Sequence, residues 1–433
     1  MPEVAITVNS PGEVSTWLIP VVRELRKLDQ DIRVTVFILP CTYAAGTETD
    51  VVASIPGIDA VVPPSESLKF ALFGGTPRKW RRFERGALLF LGGEFFLAAR
   101  LIRKLNAAGL AYSAGFINSA SAFDRVFAPR AYSKAELVRR GVPEGAVEVV
   151  GDLMVDAAKI GAPFSEKAEA RRGLGIDQDA TVVALFPGSR PYEFRYALGF
   201  FARAAARLTR MPAGKGHGRE LRFVSPVAPF IDEAVVREAL AALPERGSAR
   251  AEVDAAALAR DKGRGVEGRF EFDGDHVSIT FYRERSTAVI AAADLALTVP
   301  GSNTAEMAAW GLPMVVCVPL DKPEDIPIDG IFGLVDRIPL IGRRLKAKAV
   351  LALSERTTFV ALPNRIANER IASELRSRTL QPEDVAEEAF RLLGDDEARA
   401  EMSRKLVAAM GPPGAAEKVA RGLLEAAYSS AEK

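Results

Sequence analysis

Short apolar runs, each followed by a small-residue turn and then by a stretch with helical periodicity, recur through both halves of the chain. Residues 4–8 are the first such run, the pattern of a strand buried on both faces. After the loop Asn9-Ser10-Pro11-Gly12-Glu13-Val14-Ser15, the residues Trp17, Leu18, Val21, Val22, Leu25 and Leu28 line one side of a helix. Residues 33–39 predict a second strand, and residues 51–62 a helix-to-strand passage that turns at Pro56-Gly57. A core strand follows at 87–91. Residues 133–140 predict a helix with Ser133 as N-cap and Gly141 just past its end, and residues 147–151 the last strand of this half. Strands and helices alternating in this way predict an open parallel sheet.

The polar segment 159–179 carries no strand pattern and is expected to be a linker. The alternation restarts with a strand at 181–186, the turn Pro187-Gly188-Ser189-Arg190 and a helix whose apolar positions run to Leu208. Strands at 221–225, 270–272 and 277–281 and a helix at 286–293 lead into the sharpest unit of the chain, residues 294–320. There the apolar run Leu295-Ala296-Leu297-Thr298-Val299 meets the turn Pro300-Gly301-Ser302-Asn303-Thr304. A short helix at 305–310, stopped by Gly311 and Pro313, leads to a second buried strand at 314–318. In such a βαβ unit the turn lies at the carboxyl edge of a parallel sheet, where ligands bind. N–H groups and the positive helix end face a phosphate there, and Glu306 is placed to accept hydrogen bonds from a ribose diol. The guanidinium fork of Arg190 suits phosphate oxygens. An ordinary strand–turn–helix without a ligand has the same pattern. Beyond it come F-V-A-L-P-N at 359–364, a helix expected over 365–377, and amphipathic helices over 382–393, 397–409 and 415–427. The Gly-, Arg- and Ala-rich segments 211–219 and 244–268 suggest no chemistry.

A chain of 433 residues is too long for one small core, and two α/β domains are expected. The boundaries read as 1–158, a linker at 159–179, 180–380, and C-terminal helices at 381–433 packing across the joint. Lys plus Arg (57) nearly cancels Asp plus Glu (56), so nothing global points to nucleic acid. Cys41 and Cys317 adjoin apolar runs and read as small buried thiols. His217 and His276 have no partners at ligand spacing, so no zinc site is expected. The first residues start a strand without a charged and then apolar leader, which predicts a cytoplasmic protein. The most apolar window, 86–102, is interrupted by Glu94 and Arg100 and is short for a bilayer span.

Local charge changes the picture. Between residues 67 and 105, Lys69, Arg78, Lys79, Trp80, Arg81, Arg82 and Arg85 interleave with Phe and Leu. That mixture suits an anionic membrane surface, the plain alternative being a solvated basic helix beside a core strand. A second basic and apolar stretch spans 326–352, with Ile331, Phe332, Arg343, Arg344, Lys346 and Lys348. Peripheral attachment to the inner face of the cell membrane is therefore expected.

Four segments in this order and spacing carry a resemblance. They are Val150-Gly151-Asp152-Leu153-Met154-Val155-Asp156-Ala157, residues 184–190 ending Phe186-Pro187-Gly188-Ser189-Arg190, residues 300–316 with Gly301 and Glu306, and residues 359–364 ending in Asn364. The chain resembles the lipid-A-disaccharide synthase family, inverting glycosyltransferases of the two-domain GT-B fold. Near the N-terminus, Gly12-Glu13-Val14-Ser15 is similar to the first half of that family's Gly-Glu-Ala-Ser-Gly-Asp loop. Thr16-Trp17 replaces the Gly-Asp ending, residues 114–123 replace a tryptophan-rich segment, and Asp152 stands where the family has a histidine.

The resemblance implies two open doubly wound sheets facing a cleft. It implies a UDP-sugar held by Gly188, Ser189, Arg190, Gly301, Ser302, Asn303, Thr304, Glu306 and Asn364, without metal or cofactor. A lipid-linked acceptor falls to the first half. The family's proposed catalytic aspartate falls near Gly92-Gly93-Glu94, so Glu94 is expected to be the base and Glu13 its structural or acceptor-binding partner. Phe95 and Phe96 would raise the pKa of the Glu94 carboxyl toward that use. A UDP-sugar 2-epimerase on the same fold and a non-catalytic nucleotide-sugar-binding protein are the alternatives. The long C-terminal helices permit a homodimer.

Overall fold

The computed structural model describes residues 3–40, 48–75, 86–160, 166–212, 220–229, 231–243, 249–320 and 357–432. Arg78, Lys79, Trp80, Arg81, Arg82 and Arg85, the whole stretch 326–352, Cys41 and His217 lie outside the described residues. The chain divides into two compact units, Met1–Gly161 with Gly411–Lys433, and Ala162–Met410.

The first unit is built on seven strands: β1 Glu3–Val8, β2 Arg33–Ile38, β3 Ala60–Val62, β4 Gly86–Phe90, β5 Ala108–Tyr112, β6 Arg125–Ala128 and β7 Val147–Val149. All pair in parallel in the order β3-β2-β1-β4-β5-β6-β7. The central strands β1 and β4 are buried throughout because helices cover both faces, whereas the edge strand β7 is largely exposed. On one face Ile6, Val36 and Leu89 pack with Val21 and Leu25 of the helix Ile19–Leu28 and with Val419 and Leu423 of the helix Ala415–Glu432. On the other, Phe37, Leu88 and Val126 pack with Phe70 and Leu101. The Asp156 carboxylate accepts from the N–H groups of Gly414 (2.6 Å) and Ala416 (2.7 Å), which fastens the last helix to this unit.

Two local expectations change here. The loop after β1 is helical from Pro11, and Val14–Leu18 form a π turn before the helix Ile19–Leu28. Pro20 has no N–H and its ring crowds the carbonyl four residues back; widening the turn, with the Ile19 N–H bonded to the Val14 carbonyl, relieves that conflict. The helix Ala131–Arg139 is capped at Arg130, not at Ser133, which is buried in its first turn.

The second unit carries β8 Thr181–Phe186, β9 Leu221–Val227, β10 Ala249–Glu252, β11 Val266–Phe272, β12 Asp275–Arg283, β13 Leu295–Thr298, β14 Met314–Pro319 and β15 Ser373–Ser377. Their order is β10-β11-β12-β9-β8-β13-β14-β15, with β11 antiparallel to both of its neighbours and the remaining pairs parallel. The segment 244–268, which suggests no chemistry in the sequence, supplies an edge strand, the helix Ala255–Arg260 and the start of β11. Within the expected linker, the helix Lys167–Leu174 docks on this unit. Its buried Arg171 bonds to the Ala292 carbonyl and pairs with Asp294 at 2.8 Å.

The helix expected over 365–377 is instead the short helix Leu362–Ala367 followed by strand β15. Asn368 takes the left-handed conformation (φ 52°) and ends the helix, so the chain reverses onto β14. The helices Pro382–Leu393 and Asp396–Met410 lie in the second unit, and Ala415–Glu432 in the first.

Candidate functional site

In the first unit the strand order reverses between β1 and β4, and a crevice forms at the carboxyl ends of two such strands. Both turns that reach this point carry sequence candidates. After β1, Glu13 folds back and its Oε2 accepts from the N–H groups of Asn9 (2.8 Å) and Ser10 (3.3 Å). After β4, the N–H groups of Leu91 and Gly92 both bond to the Thr7 carbonyl, which pulls the turn tight against β1. The Glu13 carboxylate fills the space beside Gly92, where a Cβ would lie 1.8 Å from Oε2. Gly93 (φ +99°) then turns the chain beneath Leu39. Burial pushes the Glu13 carboxyl from its ordinary value up to about 7, outweighing the two amide bonds that favour its charged form.

Glu94 is differently placed. It is the exposed N-cap of the helix Phe95–Leu105, and its side chain makes no capping bond. The apolar setting expected from Phe95 and Phe96 does not enclose it. Phe95 turns inward to stack on Phe90 (4.0 Å between centroids), and Phe96 is exposed. The desolvated carboxyl beside this turn is that of Glu13.

Around the same edge, Asp152 pairs with Arg130 (2.7 Å), and the buried Tyr112 hydroxyl accepts from the Leu153 N–H (3.2 Å). Tyr112 meets Trp17 edge-on at 5.7 Å. Asp152 therefore holds together the ends of β5, β6 and β7. Lys69 is exposed on the helix Pro64–Phe73.

In the second unit the order reverses between β8 and β13, and the two glycine-bearing turns follow these neighbouring strands. Gly188 has φ +105°, and a Cβ there would lie 2.4 Å from the Cβ of Glu193. Arg190 caps the helix Pro191–Arg210, and its N–H donates to Glu193 Oε2 (3.3 Å). The Arg190 guanidinium donates to the Tyr192 hydroxyl (3.1 Å), which donates to Glu193 Oε1 (2.8 Å). Over half of the Arg190 side chain is exposed. Glu193 escaped the sequence candidates, although a glutamate three residues past a cap and beside Pro191 is a helix-start signal.

At the other turn, Asn303 donates to Thr298 Oγ1 (2.7 Å) and Thr304 to the Gly301 carbonyl (2.7 Å). These bonds fix the turn's shape while Gly301 and Ser302 stay exposed, and no side chain caps the helix Asn303–Trp310. Glu306 accepts from Thr287 Oγ1 (2.9 Å), and burial raises its pKa. Gly188, Ser189, Arg190 and Gly301 to Glu306 thus gather at one edge of one sheet.

Asn364 does not join them. It is fully buried, donates to the Ala372 carbonyl and to Glu374, and accepts from the N–H groups of Ile371 and Ala372. All four hydrogen-bonding positions of its amide are filled, so it has none for a ligand. Glu374 completes this clamp by accepting from the N–H groups of Val360 and Ala361. Among the described residues, no group of three or more His, Cys, Asp and Glu side chains is arranged to hold a metal ion. Among the same residues, no helix is long and apolar enough to cross a membrane.

No family model matches the chain. Among curated proteins it is similar to lipid-A-disaccharide synthase of Anaeromyxobacter dehalogenans strain 2CP-1, 31% identical over 279 residues, which is 62% of this chain and 57% of that protein. The same-named protein of Myxococcus xanthus is 27% identical over 281 residues, 63% of this chain and 57% of that one. The chain thus spans less than two thirds of the length of the relatives it matches. Among solved structures, UDP-GlcNAc 2-epimerase from Neisseria meningitidis bound to UDP-GlcNAc aligns with a TM-score of 0.56 at 13% identity, over 99% of this chain and 100% of that one. MurG of Acinetobacter baumannii aligns with a TM-score of 0.51 at 14% identity, over 98% and 100% of the two chains. These likenesses bear out the fold read from the sequence, two largely parallel doubly wound sheets of the GT-B type. The resemblance carried by the four sequence segments is matched by curated relatives: this chain is a homologue of the lipid-A-disaccharide synthases on a GT-B-type fold.

Proposed function

We propose that the chain is an inverting glycosyltransferase. It moves a sugar, a HexNAc derivative, from a UDP-sugar held by the second unit to a hydroxyl of a lipid-linked or amphiphilic acceptor. The observation that carries this is the Glu13 carboxylate folded back against Gly92 at the switch point of the first unit, where burial pushes its carboxyl up to about 7. A general base works best with a pKa near the working pH. In the reaction the acceptor oxygen bonds to the anomeric carbon as the bond to the diphosphate breaks. The acceptor proton passes to Glu13, and UDP leaves with the bonding pair. Arg190 and the open turn at Gly301 and Ser302 meet the charge that grows on the diphosphate, and no metal is invoked. Glu306 accepts from a ribose hydroxyl. Glu94 lies beside the base without being it.

An amphiphilic acceptor is supported by the surface of the first unit. Phe73 is 80% exposed, and Phe96 and Phe116 are about half exposed. Arg100 lies over the Phe96 ring and Arg140 over that of Phe116, a mixture suited to a headgroup region at the inner face of the membrane. The test is incubation with labelled UDP-sugars and bacterial lipid extract. Label appearing in lipid supports transfer. Interconversion of UDP-HexNAc epimers without acceptor would replace the proposal with the epimerase, and UDP binding without turnover would replace it with a binding protein.

A further inference from the structure

The second unit's sheet ends in an antiparallel extension, β12-β11-β10, at the side away from β15. Directly opposed residues of such strands share a face. Ala249 and Ala251 lie opposite Phe272 and Phe270, on the buried face. Arg250 and Glu252 lie opposite Glu271 and Arg269, on the solvent face, and both are exposed. Charges therefore alternate across the strands in two rows, Glu271 beside Arg250 and Arg269 beside Glu252. Outward of β10 there is no further strand among the described residues, so one side of its backbone has no strand partner there.

Charge on an edge strand ordinarily keeps a second strand away. Here the two charges are opposite in sign and two residues apart, which makes the edge complementary to itself. A second copy related by a two-fold axis perpendicular to the sheet keeps the polar face polar. That symmetry sets one residue of β10 opposite its own copy. Centred on Arg250, the pairing sets Arg against Arg, and centred on Glu252 it sets Glu against Glu. Centred on Ala251, it sets Arg250 against Glu252 twice, once on each side of the axis. Asp254 caps the helix Ala255–Arg260 by accepting from the Ala257 N–H (2.8 Å), which ends the strand and leaves little overlap for more displaced registers.

We propose that β10 is a self-association edge whose partner is a second copy of this chain, paired antiparallel about Ala251. Each row then runs Glu271, Arg250, and Glu252 and Arg269 of the second copy, alternating in sign throughout. Opposite charges directly across strands favour a pairing, and like charges oppose it. β10 has four residues, so the contact is small and the dimer forms only at about 10–100 µM. The inference does not rest on the glycosyl-transfer reading.

Analytical ultracentrifugation of the full chain between about 1 and 200 µM tests it, with the two charges reversed singly, together and in mixture. The wild type should form dimers. Arg250→Glu makes the edge wholly acidic and Glu252→Arg makes it wholly basic, and each should weaken self-association at least about tenfold. Arg250→Glu/Glu252→Arg restores opposite signs and should return to within about threefold of wild type. An equimolar mixture of the two single variants should form heterodimers, since an acidic edge then meets a basic one. That result would also show that neither variant has lost its fold. A wild type still monomeric at about 200 µM would overturn the proposal. So would dimers that the single reversals leave unchanged, single variants whose mixture stays monomeric, or a double variant that does not recover.

Discussion

The carboxylate of Glu13 rests against the α-carbon of Gly92, so closely that a methyl group at Gly92 would lie 1.8 Å from Glu13 Oε2. Glu13 and Gly92 belong to the turns after the two strands on either side of the switch point. Gly92 is therefore the residue that lets the candidate base sit where it does. In Gly92→Ala the added methyl meets the end of a flexible side chain, so the carboxylate shifts and the fold survives. We expect a stability loss of about 1 kcal/mol or less with a turnover loss of at least about tenfold. Chemical denaturation and transfer kinetics on the same preparation check both parts.

The pH dependence follows from Glu13. Burial raises its carboxyl to about 7, and a base acts only when ionised. Transfer at saturating substrates should fall about tenfold per pH unit below that value and level off above it. A profile already flat from pH 5 to 8 would assign the base to a carboxyl of ordinary pKa.

Arg190 and Asn364 should separate cleanly. Arg190→Ala removes a charged, largely exposed donor and should weaken UDP about ten- to hundredfold with little change in stability. Asn364→Ala strands the N–H groups of Ile371 and Ala372 beside Glu374 and should cost about 2–4 kcal/mol. The folded Asn364→Ala protein should keep its UDP affinity. Calorimetry and thermal unfolding of both variants check this pair.

Anionic vesicles should bind the wild type in a salt-sensitive manner, and Phe73→Ser/Phe96→Ser should weaken that binding at least about fivefold. Exposed rings contribute by burial, which is worth about 1.5–3 kcal/mol for a full Phe side chain. Flotation assays across salt concentrations give the comparison. Equal attachment to neutral and anionic vesicles would leave Lys69 and its neighbours as a solvated face.

Much of this was legible in the sequence. The apolar runs at β1, β4, β8 and β13 are buried on both faces, so burial and strand pattern coincide, and the turns after them follow from the alternation. Strand β15 was not legible, because Ser-Glu-Leu-Arg-Ser at 373–377 is half-buried along its whole length and shows no alternation. The resemblance implies Asn364 as a ligand residue, and with 365–377 read as helix its partner Glu374 on β15 stays hidden. The roles of Glu13 and Glu94 were likewise beyond local pattern. Both follow strand ends near glycine, and only the return of Glu13 onto Asn9, Ser10 and Gly92 distinguishes the desolvated carboxyl from the exposed one.

The central claim is that Glu13 takes the proton from the acceptor. Single-turnover transfer from labelled UDP-sugar, at saturating donor and acceptor, tests it most directly in Glu13→Gln and Glu94→Gln. The account predicts a loss of at least about a hundredfold in Glu13→Gln with UDP affinity intact, and turnover within about threefold of wild type in Glu94→Gln. Near wild-type turnover in Glu13→Gln, with the loss in Glu94→Gln, would contradict it.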